Sequence, residues 1–193
     1  MIKRYTVMTI LLALHAGTGA SAEPSTAVVG VPDKLKPGAS ESLKIVTLAK
    51  GVQIYECRAS TVQPGSYEWT LVAPEAELFD TGGNRIGRHF GGPSWQSNDG
   101  STIVGSVKER ADAPAADAIP WLLLSAKSVG TEGSFSKVTS VLRVNTVGGV
   151  APRSGCSQAT AGASARMDYT ANYYFFDAKA ESQPSPYTTG FSY

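Results

Sequence analysis

The chain has 193 residues, 17 basic against 16 acidic side chains, 42% hydrophobic residues and 2 cysteines. That length fits one domain, and the apolar content suffices for a sizeable core. The near-balanced charge lacks the basic excess that nucleic-acid binding requires, so no nucleic-acid partner is expected.

Residues 1–22 read as an export signal. Lys3 and Arg4 form a positive n-region, and Val7 to Ala13 is a short apolar h-region. Ala20-Ser21-Ala22 supplies an A-x-A cleavage site, so cleavage is expected between Ala22 and Glu23. The apolar run is too short to span a bilayer, and no membrane span is expected. The expected location is the periplasm or the external medium. Cleavage takes the formal charge from +1 to −1 and removes His15. His89 is then the sole imidazole. A multi-histidine metal site is excluded, and a Ser-His-Asp or Cys-His arrangement would have to use His89. No metal and no cofactor are expected. Cys57 and Cys156, an even pair in an exported chain, read as one disulfide tying an early strand to a late segment.

Residues 23–42 are rich in Pro, Ser, Gly and Ala and read as an extended arm. Leu35, bracketed by Pro32 and Pro37, is its expected anchor. Residues 43–177 read as a body of strands. Leu43 to Ala49 and Val52 to Arg58 are β-rich runs, with Lys50-Gly51 between them as a two-residue hairpin. In the second run Gln53, Tyr55 and Cys57 share one face, and Val52, Ile54 and Glu56 the other. Tyr67 to Val72 alternates with period two, and Pro74 is expected to end that strand. Glu75 to Phe79 reads as a short strand or one helical turn. Arg85 to Phe90 leads into Arg88 to Ser101, where three glycines and Pro93 exclude a helix. This segment reads as an ordered loop. Thr102 to Glu109 leaves it as a strand, and Ala111 to Ala118 is a polar linker.

Ile119 to Ala126 is apolar on both faces and reads as a doubly covered strand, with Pro120 at its start. Val138 to Asn145 sets Val138, Ser140, Leu142 and Val144 against Thr139, Val141 and Arg143. After a Gly-rich loop, Ala165 to Phe176 is a last strand carrying Tyr169, Tyr173, Tyr174, Phe175 and Phe176. Residues 178–193 read as a flexible tail. The whole is a single all-β domain, an antiparallel sandwich or barrel with long ordered loops.

The loop from Arg88 to Ser101 is the candidate site. His89 with Asp99 offers general acid–base chemistry, since imidazole titrates near neutrality. Phe90, Trp95 and Gln96 offer stacking and polar contacts to a small molecule or a carbohydrate. In a third reading these residues only order the loop. Asn98-Asp99-Gly100-Ser101 lacks most of a calcium loop and reads as an Asx turn. The Glu75, Glu77, Asp80 cluster reads as a solvated edge. No nucleophile elbow, phosphate loop or dinucleotide fingerprint occurs. Three functions stay open: a binding module, a hydrolase or lyase using His89 with Asp99, and a structural protein without a pocket. Neither the ligand nor the oligomeric state is legible.

One ordered set carries a resemblance. Gly51-Val-Gln-Ile-Tyr-Glu-Cys57, Trp69, His89 with Gly92-Pro93 and Trp95, Asp99-Gly100-Ser101, Ile119-Pro120-Trp121-Leu122, Arg143 to Gly149, Pro152, Cys156 and Tyr173-Tyr174-Phe175 follow one another along the chain. In that order they resemble a family of exported bacterial and fungal proteins classed as a domain of unknown function. The resemblance runs from about Leu35 to Phe176. It implies that these aromatic, cysteine and glycine positions define a shared fold, with His89, Trp95 and Asp99 among them. Some relatives carry a malate dehydrogenase label, but without a dinucleotide fingerprint that activity is not expected here.

Overall fold

The computed structural model describes residues 30–179. The expected leader, its cleavage site, residues 23–29 of the arm and the tail beyond Lys179 lie outside the described residues. The strands are β1 (Glu41–Ala59), β2 (Tyr67–Phe79), β3 (Arg85–Phe90), β4 (Ser94–Ser97), β5 (Thr102–Ala111), β6 (Trp121–Ser128), β7 (Val138–Gly148) and β8 (Ser164–Ala178). Each pairs antiparallel with the next, and β1 also pairs with β8. The sheet therefore closes into an eight-stranded barrel in simple chain order. Of the two all-β architectures the sequence leaves open, the barrel is the one formed.

Three expectations need correction. Lys50-Gly51 is not a hairpin: β1 runs unbroken through it for 19 residues. Gly51 serves a close approach instead. A Cβ there would lie 2.5 Å from Ala76 Cα and would also strike the Glu75 carbonyl on β2. A glycine inside a strand marks such an approach as readily as a turn. Pro74 does not end β2, which continues to Phe79 with a bulge at Val72. β3 pairs only with the stretch from Ala76 to Phe79, so Pro74 lies on a free edge where its missing N–H does no harm. Finally, Arg88 to Ser101 is not a loop. It holds the end of β3, a tight turn at Gly91 to Pro93, the four residues of β4, and a second turn at Asn98 to Gly100.

The two faces of the sheet are both covered in part. Inward residues form a core around Leu78, Trp95, Ile103, Leu124, Phe135, Val141, Tyr173 and Phe175. Phe135, from the β6–β7 loop, is fully buried and stacks on Phe175 at 4.7 Å, plugging the barrel end where β1 begins. Outward residues Trp121, Leu123, Leu142, Val144 and Phe176 make a second cluster, closed over by Leu35 from a 3-10 turn at Asp33–Leu35. β6 is thus apolar on both faces because both are covered. Leu35 is completely buried. Leu35→Ala is expected to cost roughly 3 kcal/mol, the usual scale for a core leucine truncation, read as a lowered urea midpoint with an intact β-sheet circular dichroism spectrum. Elsewhere the outer face is charged, with Lys44, Lys50, Arg166 and Asp168 exposed. A lipid-facing barrel presents an apolar band there. No helix among the described residues is long and apolar enough to cross a membrane.

The Cys57–Cys156 disulfide is present. It ties the end of β1 to the β7–β8 loop, which also receives hydrogen bonds from Tyr55 Oη to the Gly149 carbonyl at 2.7 Å and from Trp69 Nε1 to the Ser154 carbonyl at 2.9 Å.

Candidate functional site

Strand lengths create the site. β3 and β4 are short, whereas β2 has 13 residues and β5 has 10. β4 pairs with β5 only as far as Val104, and Gly105 N–H adds one bond to the Pro93 carbonyl. Beyond that point neither Tyr67 to Glu75 of β2 nor Ser106 to Ala111 of β5 has a partner on the facing edge. The result is a notch in the barrel wall above the β3–β4 turn.

A cavity of about 530 Å³ fills the upper lumen and reaches this notch. Its rim carries Leu71, Val72, Ala73 and Pro74 from β2, Gly92 and Pro93 from the turn, and Val107 and Arg110 from β5. Leu71, Val72 and Val107 are each about half exposed, among the most exposed large apolar side chains described. The far wall is Ile119, Pro120, Leu122 and Leu124, and the interior holds Gln53, Tyr55, His89, Trp95, Arg143 and Tyr173. No aspartate or glutamate lines it.

The floor is a cluster of three rings. His89 and Trp95 face each other across the β3–β4 ladder and stack at 4.6 Å with 10° between planes. Tyr173 of β8 meets both edge-on, at 5.2 Å and 5.6 Å. Trp95 lies flat against Gly105, where a Cβ would come within 2.7 Å of the indole. His89 Nδ1 donates to the Ser94 carbonyl at 2.8 Å. A carbonyl can only accept, so the proton is on Nδ1, and Nε2 of the neutral ring is an acceptor. Burial pushes the His89 pKa down to about 3, opposed by the Ser94 bond and helped by the Arg143 charge. The imidazole is neutral at physiological pH.

Several buried polar atoms here have no hydrogen-bond partner: Gln53 Nε2, Trp95 Nε1 and the hydroxyls of Tyr169 and Tyr173. Burial raises both phenols well above the ordinary tyrosine value. The two hydroxyls are near enough to act on one another's titration, as Gln53 does on Tyr169 and Arg143 on Tyr173, yet none of these contacts reaches hydrogen-bonding geometry. Buried polar groups are nearly always satisfied, so four orphans gathered in and beneath one cavity need a cause. Arg143, projecting inward from β7, donates through Nε and Nη2 to the Pro120 carbonyl at 3.1 Å and 2.9 Å. It has no carboxylate partner among the described residues.

The structure places the sequence-derived candidates on two sides of the wall. His89 and Trp95 face the lumen. Phe90 and Gln96, one position along on each strand, face out. Arg88 lies over the Phe90 ring at 5.0 Å and donates from Nε to Gln96 Oε1 at 3.0 Å. Asp99 is not brought to His89. Its carboxylate accepts from the N–H and hydroxyl of Ser101 (2.9 and 2.6 Å) and of Ser134 (2.8 and 2.7 Å), which holds its pKa well below the usual range. It fastens the β4–β5 turn to the loop that carries the Phe135 plug. Among the described residues no three His, Cys, Asp or Glu side chains gather as a metal site.

Gln53, Arg143 and Tyr173 belong to the ordered set quoted for the resemblance, but the sequence did not single them out as site residues. The available signal was polarity out of place: Arg143 interrupts an apolar strand, and Gln53 stands mid-strand between valine and isoleucine.

No curated protein and no solved structure matches the chain. The matched family span includes both cysteines and all eight strands except the last residue of β8, Ala178. The chain belongs to the family described as Protein of unknown function (DUF3455), whose model matches residues 37–177.

Proposed function

We propose that the protein is a binding module that holds a small, mostly apolar molecule in the barrel lumen. One observation carries the reading: a cavity of about 530 Å³ that opens at the notch, is walled mostly by apolar side chains and holds the polar residues Gln53, His89, Arg143 and Tyr173 inside. The volume is in the range of small-molecule sites. Eight-stranded barrels are wide enough to hold one such ligand. Apolar walls with a few convergent polar atoms favour a compact amphipathic molecule over a glycan, which needs many polar contacts. Acid–base catalysis by His89 with Asp99 finds no support in the geometry, since Asp99 is committed elsewhere. Export to the periplasm or medium agrees with the Cys57–Cys156 disulfide and with the leader-like sequence of residues 1–22.

The neutral fluorescent probe N-phenyl-1-naphthylamine tests this. It is expected to bind with one-to-one stoichiometry and to quench the tryptophan emission that Trp95 contributes. Leu122→Trp, which fills the lumen from its wall, is expected to weaken binding at least tenfold with the thermal midpoint little changed. Equal binding by the filled variant would place the probe outside the barrel and overturn the proposal.

A further inference from the structure

Building on that lumen reading, we infer that the cavity selects an amphipathic anion, whose acidic head is held by Arg143 with Gln53 and Tyr173 and whose apolar body extends toward the notch. The charge balance is the first ground. The cavity is lined by two cations, Arg143 within and Arg110 at the rim, and by no carboxylate. A partly buried guanidinium that bonds the Pro120 carbonyl, lies near the Tyr173 hydroxyl and has no carboxylate partner among the described residues is electrostatically incomplete, because an uncompensated charge away from water is costly.

The second ground is the type of the orphaned groups. Gln53 Nε2 and Trp95 Nε1 can only donate, and the Tyr173 hydroxyl donates as readily as it accepts. Donors left over around a cation describe the complement of a carboxylate, which accepts several hydrogen bonds and pairs with the planar guanidinium. The Pro120 contacts hold Arg143 through Nε and Nη2, and its charge also acts on the neighbouring Tyr173 hydroxyl, so cation and phenol stand side by side. His89 fits as well: it is neutral, so it adds no competing charge, and its stacking fixes Trp95 in place.

The third ground is the gradient across the cavity. Its polar atoms are deep, whereas Leu71, Val72 and Val107 stand at the exposed rim. A ligand entering through the notch would therefore place its head inward and its tail against the rim.

Competition against N-phenyl-1-naphthylamine, below micellar concentrations, separates the inference from the reading under it. Decanoate is expected to displace the probe at a concentration at least tenfold lower than decanol, and decylamine is expected to be the weakest of the three. In Arg143→Met, decanoate should fall to the level of decanol, with decanol itself changed less than threefold. Arg143→Lys should keep part of the preference. Equal potency of decanoate and decanol on the wild type would overturn the inference and leave lumen binding standing. So would a preference for decanoate that survives Arg143→Met. If the probe does not bind the wild type at all, the lumen reading fails and this inference fails with it.

Discussion

Taking the protein from pH 6.5 to pH 4.5 is expected to remove roughly 2 kcal/mol of stability through His89 alone, the slope approaching ~1.36 kcal/mol per pH unit below the unfolded-state value. The folded imidazole stays neutral down to about pH 3, because burial among Trp95 and Tyr173 opposes its charge. In the unfolded chain the same ring is protonated below about pH 6.5. Between those values unfolding takes up a proton, so stability is fully present above 6.5 and declines as pH falls. Extended to pH 3 the loss reaches on the order of 5 kcal/mol. The carboxylates held low, Asp99 foremost, act in a separate window. They withdraw their stabilisation only as pH drops below the ordinary carboxylate range. Urea unfolding at pH 7.5, 6.0, 5.0 and 4.5, compared with His89→Gln, isolates the imidazole. The variant is less stable at neutral pH, yet its curve should be nearly flat across this range. A wild-type curve equally flat would mean that the ring is solvated.

Loss of the Cys57–Cys156 bond is expected to lower stability by up to about 4.7 kcal/mol, the chain-entropy value for a loop of this size. The bond spans 99 positions, nearly the whole barrel from β1 to the β7–β8 loop. The paired Cys57→Ala, Cys156→Ala variant is the cleaner test, because it leaves no thiols to recombine. Its effect should extend past stability. That loop accepts the Tyr55 hydroxyl bond at the cavity end, so the variant should also bind N-phenyl-1-naphthylamine more weakly. An unchanged urea midpoint would show that the cross-link constrains nothing the sheet does not already hold.

What the sequence revealed was whatever is encoded locally or by simple pairing. Alternation located the strands, the apolar run from Ile119 marked a doubly covered strand, Leu35 stood out between its prolines, and two cysteines implied one bridge. What it concealed depends on closure. Gly51 and Pro74 are locally turn residues, but a close approach and a free edge are properties of neighbours distant in sequence. The lumen face of β1 is Gln53, Tyr55 and Cys57, more polar than alternation leads one to choose as the inside. His89 and Phe90 looked like one site because they are adjacent, and a strand sends adjacent side chains to opposite faces. Arg143 and Tyr173 lie far from the Arg88 to Ser101 segment, and only the β7–β8 and β1–β8 pairings bring them above its rings.

The seam between β1 and β8 governs the order of assembly. β1 from Glu41 to Glu56 finds its second partner only in residues 164–178, the last strand of the sheet. A growing chain that has not reached that strand has two open edges and no ring, and its lumen lacks Tyr169, Tyr173 and Phe175. Pairing so distant in sequence is slow to form, and open edges invite pairing with other chains. The cavity therefore has no existence as a fragment. It comes into being at the moment of closure, so the binding proposed above would require a finished barrel, entered through the notch after synthesis and not during it.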